Sequence, residues 1–202
     1  MESAILFDCE FLTAEGAQTR FWGGPRDPDP VVAQIGAVRI SLSGSFPVMD
    51  QIRVYVTPKD RSGQPCELDP YFTALTGISA QDLDREGQPL EQALKRLGDF
   101  AQGTKLWSWG KDEFNLMAIS CYVENITPPL PVTQFGNATT LLLQAGMPLA
   151  DLTRTRCSGL ADYYHLPHPP LRAHDAMDDA LSIATVLQHL LRAGALEPAD
   201  FQ

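Results

Sequence analysis

The chain has 202 residues, an apolar fraction of 44% and a formal net charge of −10 at pH 7, which suits one substantial core and a single α/β domain over residues 1–202. No apolar run is long enough to cross a bilayer and the N-terminus lacks a signal-peptide pattern, so a soluble, cytoplasmic protein is expected. The acidity excludes a broad basic footprint for duplex nucleic acid, and Cys9, Cys66, Cys121 and Cys157, with no CxxC pair, read as reduced structural thiols.

A first strand is expected at 4–7, and Asp8-Cys9-Glu10 at its end sets two carboxylates at i and i+2 on one face. Anions held side by side against an apolar core repel each other and call for a cation or shared protons; an exposed strand end would leave them simply facing water. Strands at 31–40 and 52–57 follow. Between the first two, 13–30 is too rich in Gly and Pro for a helix and reads as a functional loop, with Phe21 and Trp22 as candidates for a substrate lid. Helical patterns at 70–75 and 90–101 precede a strand at 105–109, where Trp107 and Trp109 read as core. A helix at 112–124, a strand at 132–135 and helices at 139–145, 158–165 and 176–192 complete the chain, with no internal repeat and no dividing linker.

Helical spacing separates neighbouring acids. Asp112 shares a line with Leu116, Ile119 and Val123 and is expected to face the core, whereas Glu113 runs with Met117, Ser120 and Glu124. A helix N-cap explains Asp112 as well. In His174-Asp175-Ala176-Met177-Asp178-Asp179, Asp179 runs with Ile183, Val186 and Leu190 and is the inward acid. His174 then falls on the preceding loop, as a surface histidine or as a base that accepts a proton at neutral pH.

Asp8-x-Glu10, Asp112 at a helix start after a strand, and His174 followed five residues later by Asp179 resemble the three motifs of the DEDDh exonucleases, in the ribonuclease H-like superfamily. The likeness spans nearly the whole chain. The segment 32–38 looks like the family's second strand, Leu75-Thr76-Gly77-Ile78 like the turn after its third, and 157–166 with 174–186 like its closing helices. Trp109-Gly110-x-Asp112 is most similar to the branch of histone-mRNA and small-RNA trimming exonucleases and their bacterial relatives. A longer loop before the second strand and an unusual acidity depart from the compact members.

The resemblance implies a mixed five-stranded sheet, three strands antiparallel and then two parallel, flanked by helices. It implies that Asp8, Glu10, Asp112 and Asp179 hold two Mg²⁺ or Mn²⁺ ions, hard cations that suit oxygen ligands, and that His174 deprotonates water. The expected activity is 3′-to-5′ cleavage of single-stranded ends, RNA favoured over DNA, releasing nucleoside 5′-monophosphates. Phe11 and Leu12 match positions that pack on the terminal base, core packing serving equally, and Thr76 matches one near the terminal sugar. Arg172, Lys111 and Arg26 are within conceivable reach of phosphates. Two other readings stand beside this one: an exonuclease fold retained as a binding or scaffolding module, and an HD-type phosphohydrolase built on His165, His168 and His174-Asp175, which leaves Asp8, Glu10 and Asp112 unexplained.

Overall fold

The computed structural model describes residues 2–202. Strands β1 (Ser3–Phe11), β2 (Val32–Ser41), β3 (Val48–Tyr55), β4 (Leu106–Ser108) and β5 (Phe135–Asn137) form one sheet in the order β3-β2-β1-β4-β5. The first three are antiparallel, while β4 joins β1 and β5 joins β4 in parallel, as the resemblance implies. The helices are α1 (Pro70–Thr76), α2 (Ala80–Glu86), α3 (Leu90–Ala101), α4 (Asp112–Val123), α5 (Ala138–Gln144), α6 (Leu149–Leu152), α7 (Leu160–Tyr163) and α8 (Ala176–Arg192). Among the described residues no helix is long and apolar enough to cross a membrane.

The central strand β1 is covered on both faces. Its even positions Ala4 and Leu6 pack with Val38, Ile40 and the apolar stripe of α8, and its odd positions Ile5, Phe7 and Cys9 pack with residues of α3 and α4. Strand alternation therefore places Asp8 and Glu10 on the α8 face.

Two residues of β2 dock α8 over those acids. Asp8 pairs with Gly36 and Glu10 with Gln34 across the ladder, so all four share a face. Gly36 makes room for the helix backbone, since a Cβ there would lie 2.3 Å from the Ala176 carbonyl carbon and the Met177 nitrogen. Gln34 is buried, and its Oε1 accepts the Ala176 N–H at 2.9 Å. Asp175 caps the helix by accepting from the Met177 and Asp178 N–H groups, and it pairs with Arg53 of β3 at 2.6 Å. With its first turn held in this way, α8 presents Asp179 from its buried face.

Several boundaries differ from the sequence expectation. Pairing with β2 carries β1 on to Phe11, past the end of β4, so the acids lie within the strand rather than at its end. The strand expected at 132–135 begins as a 3₁₀ turn, Val132–Gln134, behind Pro131, and pairs with β4 only from Phe135. The helix expected at 158–165 shrinks to α7 after the 3₁₀ turn Cys157–Gly159. The sequence reading lacks α2 and α6; α2 starts on a capping box between Ser79 and Asp82, an Asp standing where Glu or Gln is usual.

The 13–30 loop is a succession of turns strapped by Arg20, whose guanidinium donates to the Asp27 carboxylate and, at 2.6 Å, to the Glu15 carbonyl. Asp29 pairs with Arg61 at 2.6 Å, tying the loop to the segment after β3. Phe21 and Trp22 both take left-handed backbone, φ 58° and 52°. Phe21 is 87% exposed, whereas Trp22 is half-buried with its Nε1 unpartnered among the described residues.

Candidate active site

Three carboxylates from opposite ends of the chain converge on the α8 face of β1. Ligand oxygens of Asp8, Glu10 and Asp179 all lie within 4.8 Å of one another, and all three residues are buried. A fourth buried acid, Glu113, sits beside Asp8 and the Ser108 hydroxyl at the start of α4. Its Oε2 has no hydrogen-bond partner among the described residues, and none of the four acids has a salt-bridge partner there.

Like charges gathered away from water resist ionisation. Burial, reinforced by Glu113, Asp179 and Glu10, pushes the Asp8 carboxyl well above the usual carboxylate range, and burial raises Glu113 as well. Glu10 rises to about 8, mainly through burial and then through Asp179. Asp179 rises to about 6 through burial, opposed by the His174 N–H, which donates to Oδ2 at 3.2 Å, and by the Cys157 thiol. Oxygen-only donors, close together, buried and without a basic partner, are a fit for hard divalent cations.

His174 lies on the loop before α8, in left-handed backbone at φ 61°, and is half-buried. Burial first, then Arg156 and Arg172, hold its imidazole below the ordinary histidine value. It borders a cavity of about 320 Å³ whose lining includes Glu10, Phe11, Thr76, Tyr71 and Arg156. Residues 13–19 of the long loop supply much of the opposite wall. Arg172 sits over the C-terminus of α1, where a Cβ on Gly77 would fall 1.8 Å from its Nη1.

Two residues singled out from the sequence are placed otherwise. Asp112 is exposed and Glu113 is the inward acid of α4. The helix has apolar residues around much of its circumference, and the line that looked wet is buried because Ser120 docks it: Ser120 Oγ accepts the Val32 N–H at 2.9 Å and donates to the Leu116 carbonyl at 2.7 Å. Leu12 packs among Val31, Phe72 and Ile78, and its N–H is taken by the Val31 carbonyl at 2.9 Å, so neither group is free for a nucleotide. Thr76 borders the cavity with its hydroxyl already bonded to the Phe72 carbonyl and the Ile78 N–H. Of the expected phosphate contacts, Arg26 and Lys111 are exposed outside the cavity. The HD-type arrangement is not assembled: Asp175 is a helix cap, His165 is exposed, and His168 bonds to Asp162. Glu113, Ser108, Arg156 and Cys157 are the neighbours of the cluster that sequence patterning overlooked.

A mixed sheet of this order with helices on both faces defines a ribonuclease H-like fold. The family model described as Exonuclease (RNase_T) matches residues 5–187, and the chain belongs to that exonuclease family. No curated protein matches the sequence. Among solved structures, the nuclease domain of 3′hExo, a DEDDh family member bound to rAMP, is similar with a TM-score of 0.75 and 19% identity over 96% of this chain and 94% of that one. Cell-death related nuclease 4 (CRN-4) is similar with a TM-score of 0.71 and 20% identity over 96% of this chain and 65% of that one. Exonuclease I of E. coli, in complex with a dA16 oligonucleotide, is similar with a TM-score of 0.60 and 16% identity over 94% of this chain and 41% of that one.

Proposed function

We propose that the protein is a divalent-metal-dependent exonuclease that removes nucleoside 5′-monophosphates from single-stranded 3′ ends, RNA in preference to DNA, with His174 as the general base. The observation that carries this reading is the unpaired acid cluster beside a half-buried histidine and an open cavity. Asp8, Glu10 and Asp179 would hold Mg²⁺ or Mn²⁺, with Glu113 completing the set in place of Asp112. Two such ions, when bound, stabilise the attacking and leaving oxygens of an in-line displacement at phosphorus.

The remaining work falls to the chain's own groups. A lowered pKa keeps the His174 imidazole neutral at pH 7, so its ring nitrogen can take a proton from water. The N–H it donates to Asp179 fixes the loop that carries it. Phe11 offers an apolar wall to the terminal base, and Thr76 a short side chain beside the sugar. A cavity walled by the 13–19 segment suits a separated strand end better than a duplex. RNA is favoured because one similar structure is described as recognising a histone mRNA stem-loop, with a TM-score of 0.75 against 0.60 for Exonuclease I.

Digestion of 5′-labelled RNA and DNA oligonucleotides with Mg²⁺, Mn²⁺ or a chelator tests the proposal. Shortening from the 3′ end should require metal, vanish in Asp8→Ala, and fall by about 10²–10⁴-fold in His174→Ala with metal binding retained. Metal-independent cleavage, or full turnover in His174→Ala, would refute the corresponding part.

A further inference from the structure

The buried acids and the phosphodiester they are proposed to serve carry the same sign, in a chain whose net charge is −10. A substrate anion therefore needs a local cation, and most candidates are already engaged. Arg20 is paired with Asp27, Arg53 with Asp175 and Arg61 with Asp29. Arg172 is packed over Gly77, its Nη2 3.5 Å from the Leu75 carbonyl. Arg156 differs: it is exposed, it borders the cavity alongside Glu10 and His174, and among the described residues its guanidinium has neither an ion-pair nor a hydrogen-bond partner.

Its backbone is well anchored. The next residue, Cys157, accepts a hydrogen bond at its carbonyl from Ser182 Oγ of α8 at 2.6 Å, and its thiol lies beside Asp179. The Arg156 carbonyl accepts the Gly159 N–H at 3.0 Å. Arg156 is thus held in register with the helix that carries Asp179, while its side chain stays free to reach into the cavity.

We propose that Arg156 grips the phosphate that is hydrolysed and keeps hold of it as the 5′-phosphate of the released nucleotide. This rests on the nuclease reading above. A guanidinium presents two parallel N–H donors to two phosphate oxygens, which an ammonium cannot, so Arg156→Lys keeps the charge and loses the fork. Negative charge on those oxygens is present in the bound diester and grows in the transition state as the attacking oxygen shares its charge with them, so affinity depends on the contact and turnover depends on its strengthening.

The test titrates wild type, Arg156→Gln and Arg156→Lys with adenosine 5′-monophosphate and with adenosine, in Ca²⁺, and measures single-turnover oligonucleotide cleavage in Mg²⁺ or Mn²⁺. Arg156→Gln should bind the monophosphate about ten- to hundredfold more weakly, bind adenosine as wild type does, melt at the wild-type temperature and cleave more slowly at saturating substrate. Arg156→Lys should fall between. Unchanged monophosphate binding in Arg156→Gln, or an equal loss for adenosine, overturns the assignment. Wild-type protein that cleaves normally beside such a variant leaves the nuclease reading standing; wild-type protein that neither cleaves nor binds the monophosphate overturns both.

Discussion

Stripping divalent metal and raising the pH should loosen this fold. A carboxyl moved from 4.5 to about 8 on folding, as Glu10 is, keeps its proton in the folded state where the unfolded chain has released it. Stability then falls as pH rises. The cost is absent below pH 4.5, grows through the interval up to about 8 and is complete above it; at about 1.4 kcal/mol per pH unit it reaches about 5 kcal/mol for Glu10 alone. Asp179, raised to about 6, tilts the lower part of the same interval in the same direction. His174, held below 6.5, opposes them only on the acid side, where the unfolded chain binds a proton that the folded one resists. Thermal melting in chelator should therefore drop by about 10–20 °C between pH 5 and pH 8.5. Mg²⁺ or Mn²⁺ should restore much more at the upper pH than at the lower, and Glu10→Gln should reduce the slope without abolishing it, because Asp8, Glu113 and Asp179 tilt it the same way. A metal-free melting temperature that is flat or rising over this range, or an unchanged slope in Glu10→Gln, would refute the reasoning.

Two further outcomes are expected. Glu113→Gln should lower turnover by about ten- to a hundredfold, as loss of a carboxylate that supports a metal's ligand set does, while Asp112→Asn stays within a few-fold of wild type; a steady-state comparison with the opposite ranking would restore Asp112. Gly36→Ala should destabilise the fold by about 2–5 kcal/mol and lower activity with it, because the new Cβ meets the Ala176–Met177 backbone at 2.3 Å; urea unfolding that matches wild type would show that α8 does not dock as described.

Much of the architecture was legible because its signals are local. The apolar runs at 4–7 and 31–40 mark strands buried on both faces, and the stripe through Ile183, Val186 and Leu190 correctly turned Asp179 inward. Helix α4 turns the other way for a physical reason: Ser120 bonds to Val32 across 88 positions of sequence, so its hydroxyl is a buried anchor and not a solvent-facing group. Leu12 was ambiguous for a related reason, since only the three-dimensional partner of its N–H, the Val31 carbonyl, separates a core residue from a ligand contact. Arg156 carries no periodic signal, because its relevance depends on the 3₁₀ turn that follows it and on Cys157 meeting α8.

The docking of Ala176 on Gln34 and Gly36 also has a bearing on how the protein comes to life during synthesis. Asp8 and Glu10 precede β2 and β3 in chain order, whereas their partner Asp179 follows all five strands. A chain that stops before α8 therefore carries Asp8, Glu10 and Glu113 but lacks Asp179 and the helix that closes over them. Activity begins as an event of assembly, when the last long helix closes onto a bare glycine in the second strand. For the same reason, a fragment ending before α8 and a separate peptide supplying it form a natural pair for a split, complementation-gated nuclease.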